Sequence, residues 1–467
     1  MSDSQARFLT GSLTRHIVVM SLTSAVGLLA LFVVDLVDMV FISMLGVSEL
    51  AAAVGFAGSI LFMTTSVSIG FSIAAGALVA RALGEGRGDR ASEVLTHVMV
   101  LGFLFAVGFA ALVFISLPAL TALVGAAGQT QDLAISYLRI LIPTMPILMI
   151  GMIASAALRS HGAANLSMMV TIIGGAVNAV LDPIFIFVLD MGLDGAAWAS
   201  VAARLSIAGS GLWYVIRRYG GLTSCAPLKI VKDISLIAGL ATPAMLANIA
   251  TPIGSAYVTR AASAFGEEAV AGMAVVGRLT PIAFALIFAM SGAIGPIIGQ
   301  NFGAGQHDRV RSAFRRAIEL TVVFVVPVVL LLFLLRGPIA DLFNAQGTAR
   351  DLIYLFCGPL SLAWIFNGII FIANASYNNL GHPFYSTWIN WGRNTLGVVP
   401  FVAIGAAVLG AEGVLVGQMA GGVLVALVSL WLARRVMSQA EVTEPEKPER
   451  PAFSTHRRHF TMLNHRR

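Results

Sequence analysis

Twelve stretches of this chain are each apolar for about the 20 residues or more that a helix needs to cross a bilayer. They run approximately over residues 15–43, 51–82, 93–122, 131–159, 164–189, 195–217, 236–264, 270–302, 312–337, 345–379, 384–408 and 412–436. Of the 467 residues, 58% are hydrophobic and only 11% charged, whereas a soluble protein carries about 25% charged residues. A water-soluble core cannot absorb that much apolar sequence. The pattern predicts an all-α polytopic membrane protein with twelve transmembrane helices. No separate cleavable signal peptide is evident, because residues 1–15 are polar and the apolar run after them is too long for a signal segment. Cys225 and Cys357 are the only cysteines, so neither a disulfide framework nor a CxxC metal site is supported.

The charges sort by side. Arg7, Arg15, Arg81, Arg87, Arg90, Arg159, Arg217, Arg218, Lys229, Lys232, Arg309, Arg311, Arg315, Arg316, Arg434 and Arg435 fall in one set of alternate loops. Glu49, Asp132, Asp190, Asp194, Glu267, Glu268 and Glu412 fall in the other, with Arg336 and Arg350 as its basic exceptions. The excess of Lys and Arg marks the cytoplasmic side and places both termini there, in a multi-pass plasma (inner) membrane protein. Topology also explains the basic pI of about 9.7 better than nucleic acid does. Residues 438–467 are Glu/Pro-rich and then basic; they read as a disordered tail in reach of anionic lipid.

The two halves repeat. The segment from Gly76 to Arg90 matches that from Gly295 to Arg309 at an offset of 219, and Ser160-His161-Gly162 matches Asn379-Leu380-Gly381 at the same offset. Gly195 pairs with Gly413 at 218 and Gly46 with Gly266 at 220. Six spans per half is an even number, so both halves have one orientation, as in parallel transporter repeats. The domain reading is an N-terminal six-helix lobe over 1–218, a cytoplasmic linker over 219–235, a C-terminal six-helix lobe over 236–437 and the tail. The Gly84-Glu85-Gly86 and Gly303-Ala304-Gly305 loops lack the Lys-Ser/Thr of a phosphate-binding loop and a preceding strand, and read as helix stops.

The repeat breaks at its acids. On a helix, Thr171, Gly174, Asn178 and Asp182 share one small, polar face of an otherwise apolar segment. An acid in mid-membrane costs roughly 2.5–3.5 kcal/mol on insertion scales, which makes it a functional candidate by default. Pro183 removes a backbone donor beside it. The plainer reading is an Asp near a helix end that snorkels or caps. Asp35 and Asp38 stand one turn apart in the first span; Asp35 also reads as a residue near the outer end, facing water. The repeat mates of Asn178 and Asp182 are Gly397 and Phe401, and that of Asp38 is Val258, so these acids belong to the first half alone. Burial and like charge both work against ionising such carboxylates together, so a group of this kind takes and releases protons or holds a cation.

These residues carry a resemblance. Val37 to Gly46 with the following Leu50-Ala51-Ala52-Ala53, the two GxG loops with their trailing Asp-Arg, Arg159 to Gly162, and Asn379 to Pro383 resemble the multidrug and toxic compound extrusion (MATE) family. Asn178 to Pro183 is similar to the fifth helix of its DinF-like branch. The resemblance covers about residues 10–437 and implies a two-lobed, twelve-helix antiporter that exports bulky, often cationic compounds in exchange for H⁺ or Na⁺. It implies Asp38, Asn178 and Asp182 as the proton or cation coupling site, the cation being Na⁺. Asp35, Ser200, Arg204 and Arg393 are cavity or supporting candidates; Ser200 equally reads as a packing serine, and Arg393 as a residue that packs or snorkels. Three departures stand out. Thr23 lies where members often have a proline, while its repeat mate is Pro243; Arg204 replaces a small or polar residue and is expected to pair with an acid; and the acids of the second lobe in the NorM-like branch are missing, Asn367, Asn374 and Asn378 being present instead.

The expected function is thus secondary active efflux of amphipathic, often cationic small molecules in exchange for H⁺. No cofactor, catalytic residue or nucleic-acid partner is expected, and a monomer in the lipid bilayer is. The alternatives are a Na⁺-coupled exporter, and a lipid or lipid-linked oligosaccharide flippase whose cationic cavity would draw on Arg204, Arg260, Arg278 and Arg393. An integral-membrane enzyme is a further class, but nothing resembles a His-rich metal cluster, a Ser/Lys pair or a Gly-x-Ser-x-Gly elbow.

Overall fold

The computed structural model describes residues 6–45, 48–223 and 227–439. The Gly46 repeat anchor, Cys225 and the tail from residue 440 lie outside these described residues. All regular structure within them is helical, as it must be where hydrocarbon offers the backbone no hydrogen bonds. The first half holds α1 (Leu13–Met44), α2 (Ser48–Gly84), α3 (Gly88–Ile115), the short α4 (Leu117–Leu123), α5 (Gly128–Leu141), α6 (Met145–Ser160), α7 (Ala164–Pro183) and α8 (Gly192–Arg218). The second holds α9 (Pro227–Ser263), α10 (Glu267–Ala283), α11 (Ala285–Gly303), α12 (His307–Leu342), α13 (Gly347–Cys357), α14 (Trp364–Asn379), α15 (Pro383–Asn394) and α16 (Val399–Gln439).

Eleven stretches among the described residues are long and apolar enough to cross a membrane. The last, Pro383–Gln439, reverses at Gly410, whose φ of 61° and ψ of −137° are not helical. A Cβ on Gly413 would strike the backbone of Gly405, although eight residues of straight helix span about 12 Å. The stretch is therefore a tight hairpin of two crossings, which makes twelve. Large apolar side chains such as Ile115 (79% exposed) and Leu334 (75%) face outward, as they do toward lipid.

Several predicted spans are broken inside. The fourth divides at a 3₁₀ turn, Ile142–Thr144, the eighth at Phe284, and the tenth at a 3₁₀ turn, Pro359–Ala363. Pro143, Pro281 and Pro359 lie in or beside these breaks, where a proline without an N–H cannot continue the helical ladder. The fifth span passes from α7 into a π-helical turn, Ile184–Val188, right after Pro183.

The two halves are joined at the end of the bundle that carries the basic loops. A Cβ on Gly84 would strike the Gln300 carbonyl, and one on Gly303 would strike that of Arg81. Each residue and its repeat mate thus make the same contact, and α2 and α11 cross backbone to backbone. The N-terminal segment seals this crossing. Phe8 is buried; its N–H donates to Gln300 Oε1 at 2.9 Å, and its carbonyl accepts from Arg309 Nη2 at 3.0 Å and Asn301 Nδ2 at 3.3 Å. Gln300 Nε2 in turn donates to the Ser160 carbonyl at 2.7 Å. Asp233 of α9 accepts from Arg90 of α3 and pairs with the buried His97. Helix α1 belongs to both halves: Ile17 and Met20 pack in a core cluster of the second, and Ile42 in that of the first.

Gly84→Ala and Gly303→Ala should each force α2 and α11 apart and cost about 1–3 kcal/mol, the usual range for overpacking. Gly108→Ala, where a Cβ meets nothing within 4 Å, should leave stability unchanged. Thermal unfolding of the detergent-purified variants checks this; equal midpoints for all three would contradict the close crossing.

Candidate functional site

Helix α7 brings the polar face inward. Its buried residues include Ser167, Gly174, Gly175, Asn178 and Asp182, with Asp182 fully buried and Asn178 7% exposed. The paired glycines let two helices approach at once. A side chain on Gly174 would collide with Ile207 of α8, and one on Gly175 would lie 3.2 Å from Val34 of α1. That approach brings α1, and with it Asp38, alongside α7.

The Asp38 and Asp182 carboxyls lie within hydrogen-bonding reach of each other. Asp38 Oδ1, both oxygens of Asp182 and the Asn178 amide nitrogen are buried without a protein hydrogen-bond partner. Two ionised carboxylates only accept, so they cannot bond one another. With one proton between them, one donates and the other accepts. Asn178, with a free N–H₂, offers a donor to either acid. Asp35 is exposed and close enough to Asp38 to repel it. On the other side stands Tyr137 of α5, buried and within electrostatic range of Asp38, Asp182 and Arg204, its hydroxyl in reach of Ser200. The π-helical turn after Pro183 is braced by Gly195 of α8, where a Cβ would lie 2.7 Å from the Phe185 carbonyl. Irregular backbone at this depth is tolerated where protein packs on it.

The corresponding region of the second half carries no acid: Val258, Gly397 and Phe401 occupy the mated positions. Arg393 of α15 lies instead at the end of that half's own break, with its guanidinium donating to Asn367 Oδ1 at 3.0 Å.

Residues 24–184 and 243–403 each match the MatE family model, in windows of equal length displaced by the same 219 residues as the sequence repeat. The chain belongs to the MATE family of membrane transporters. It is 26% identical over 441 residues to a FAD transporter of Shewanella oneidensis, across 93% of this chain and 97% of that one. It is 22% identical to the multidrug export protein MepA of Staphylococcus aureus, across 91% of this chain and 94% of MepA. Its fold is similar to an outward-facing conformation of a multidrug resistance MATE family transporter of the MOP superfamily, with a TM-score of 0.87 at 24% identity over 94% of this chain and 99% of that one. A MATE transporter is not an enzyme, and its substrates are small molecules that cross the bilayer.

Two local readings of this MATE sequence gain detail. Helix α1 runs unbroken from Leu13 to Met44, as Thr23 in place of a proline allows. Arg204, expected to pair with an acid, instead donates from Nη1 to the Leu141 carbonyl at 2.8 Å and to Thr144 Oγ1 at 2.7 Å. Pro143 opens the backbone there, and a guanidinium carries enough donors to close it. Tyr137 was missed by sequence reasoning. Its signal was its position: Tyr137 and Leu141 are one turn apart on α5 and so share the face that meets α8. His161, in the turn between α6 and α7, stacks on Tyr219 at 4.3 Å. Burial pushes its imidazole down to about 4, so it stays neutral over roughly pH 5–8, where an ordinary histidine titrates.

Arg204→Ala should leave the Thr144 hydroxyl without a donor and the Leu141 carbonyl with only the 2.7 Å bond from that hydroxyl, at a cost of about 1–3 kcal/mol. Thr144→Ala should cost less, because Arg204 keeps the carbonyl. Paired thermal melts of the two variants give the order; a larger loss for Thr144→Ala would place the support elsewhere.

Proposed function

We propose that this MATE transporter is a proton-coupled efflux antiporter of the DinF-like branch, monomeric in the plasma (inner) membrane with both termini in the cytoplasm. The observation that carries this reading is the contact of the half-buried Asp38 carboxyl with the fully buried Asp182, beside the unpaired amide of Asn178. The multidrug export protein MepA among its relatives supports multidrug export, and the acid pair supports substrates that are amphipathic and often cationic. The basic loops support a cytoplasmic position for the bonded end, which leaves the opposite, outward end free to open. Protonation of the pair lets one acid donate to the other, drawing α1 and α7 together. A substrate cation favours the ionised pair, so proton and substrate compete, and by linkage each weakens the other's binding.

A second reading of substrate class comes from the Shewanella oneidensis FAD transporter, an anion carrier in the chemistry of its cargo. Arg393 is the residue that favours it. The flippase reading is not favoured: Arg204 is engaged with Leu141 and Thr144, while Arg260 and Arg278 are exposed on separate helices.

In proteoliposomes, an imposed pH gradient should drive dye efflux with Na⁺ absent. Efflux that follows a Na⁺ gradient at constant pH and ignores the pH gradient would transfer the pair to Na⁺ coupling.

The competition also has a sign. Protons remove negative charge from the pair, so the affinity for a cationic dye should fall as pH drops from about 8 to 5, the range open to a perturbed carboxylate. Asp38→Asn and Asp182→Asn should flatten that dependence and abolish coupled efflux while the protein still inserts; Asp35→Asn should do less. Fluorescence polarisation in detergent measures the affinity. A flat profile for the unmodified protein would end the competition mechanism while leaving the family assignment intact.

A further inference from the structure

The second half holds an aromatic ladder that ends on an arginine. Phe284 stacks on Trp364 with centroids 4.7 Å apart and planes 11° from parallel. Trp364 meets Phe288 at 5.6 Å, Phe288 meets Phe371 at 5.2 Å, and the Arg393 guanidinium lies 5.8 Å from the Phe371 ring centre. Asn367, Phe371 and Asn374 lie at spacings of four and three, so α14 presents them on one face. Arg393 follows ten residues of α15, about 15 Å of helix and half the ~30 Å core of a bilayer. A cation at such a depth is costly and marks a substrate or ion path by default.

Three polar features of this ladder are unfinished. Arg393 donates to the neutral Asn367, and no carboxylate among the described residues lies within ion-pair range of it; Glu319 of α12 is held by Arg315 and Arg316 instead. The Trp364 indole N–H is buried without an acceptor, in a residue only 7% exposed. Asn374 Oδ1 is buried without a donor. Buried polar groups are nearly always paired, so each such exception asks for a partner. Beside them the helix breaks at residues 395–398, where the Gly397 N–H reaches back to the Gly392 carbonyl at 2.7 Å. Interrupted helices near the midplane are where transporter folds build binding sites. Arg393, Phe288 and Phe371 are half-buried rather than enclosed, so a face of each stays accessible.

The geometry points to a binding subsite in the second half for planar aromatic compounds that carry an anionic group such as a phosphate ester, the ring on the Phe288–Phe371 face and the anion on Arg393. Guanidinium is suited to both tasks, since it bonds phosphate through two parallel N–H groups and stacks on rings. This deepens the second reading of substrate class, that of an anionic cargo, and rests on it and not on the coupling ion. At the repeat position of Arg393 the first half has Gly174. The acids of one half and the cation of the other are therefore separate additions to one scaffold.

The test is binding of flavin mononucleotide to the purified chain in detergent, read by quenching and polarisation of flavin fluorescence. Riboflavin, the same ring without phosphate, is the comparison. The mononucleotide should bind at least about tenfold tighter, the scale of one charge-assisted contact. Arg393→Gln should erase that difference by weakening the mononucleotide alone, and Phe371→Leu should weaken both ligands. Equal binding of the two ligands overturns the proposal, as does an unaltered mononucleotide affinity in Arg393→Gln. If Arg393→Gln also loses a cationic dye, Arg393 holds the lobe together and the assignment falls. Phe371→Leu keeps an apolar side chain, and unchanged flavin affinity in it removes the ladder independently. Displacement of the mononucleotide by dispersed phosphatidylglycerol but not phosphatidylcholine would assign the cation to a lipid headgroup and overturn the reading for soluble anions. Proton coupling is read in a different assay, so either proposal can fail while the other stands.

Discussion

Every backbone N–H and C=O of this protein that lies in hydrocarbon must find its partner inside the protein. The twelve crossings follow from that one demand, and so does the meaning of the places where helices fail. Pro183 cannot donate, and the chain answers with a π-helical turn braced by α8 at Gly195. Pro143 opens α5 from α6, and the freed Leu141 carbonyl is taken by Arg204. Residues 395–398 leave the helix beside Arg393. Each of these three breaks lies within reach of a charged side chain, because a helix that surrenders regular hydrogen bonds at depth needs polar groups close by. The break at Phe284 differs, its ring stacking on that of Trp364 instead.

The repeat shows what the scaffold requires and what it leaves free. Gly84 and Gly303 are repeat mates because each lets its helix touch the partner's backbone at the crossing. Gly195 and Gly413 are mates that press on the backbone of the element before them, at Phe185 and Gly405. A side chain at any of these positions would part the elements. The positions of Asp38, Asp182 and Arg393 have no such duty, and their mates are Val258, Phe401 and Gly174. Gly174 shows the exchange most clearly: in the first half that position admits Ile207 of α8, so an arginine fits only in the second.

Much of this was legible in the chain. Apolar length marks the spans, since a crossing needs about 20 residues whatever its neighbours are. The inward face of α7 follows from the spacing of Gly174, Asn178 and Asp182, because helical periodicity is local. What the chain could not show depends on neighbours distant in sequence. Arg204 was expected to meet an acid; its partners are a carbonyl and a hydroxyl about sixty residues earlier, exposed by a break in another helix. Tyr137 carries no motif and joins the acids only because α5 packs on α8. The burial of Phe8 is likewise invisible in a polar N-terminal segment, since the residues that hold it, Gln300, Asn301 and Arg309, lie nearly 300 positions away.

Helix α1 links the two places where energy can be exchanged. Its first turns pack with the second half near Phe8, and its last turns carry Asp38 to Asp182. In an antiporter of the proposed kind, the bonded end must part once per cycle. The hydrogen bonds that hold it are worth ~0.5–1.5 kcal/mol each after the loss of water is counted. Four or five of them come close to the ~5.5 kcal/mol that carries a two-state equilibrium from 99:1 to 1:99. A proton supplies about 1.4 kcal/mol for each unit by which its site differs between two states, so a difference of a few units is of the right size. That energy has to travel from residue 38 to the region of residues 8–17, roughly 30 Å along a helix. A helix bent at a proline would spend part of the displacement in its own bend. The unbroken α1 has no such joint among its described residues, so a shift of packing at the acids is delivered to the far end as motion of a single rod.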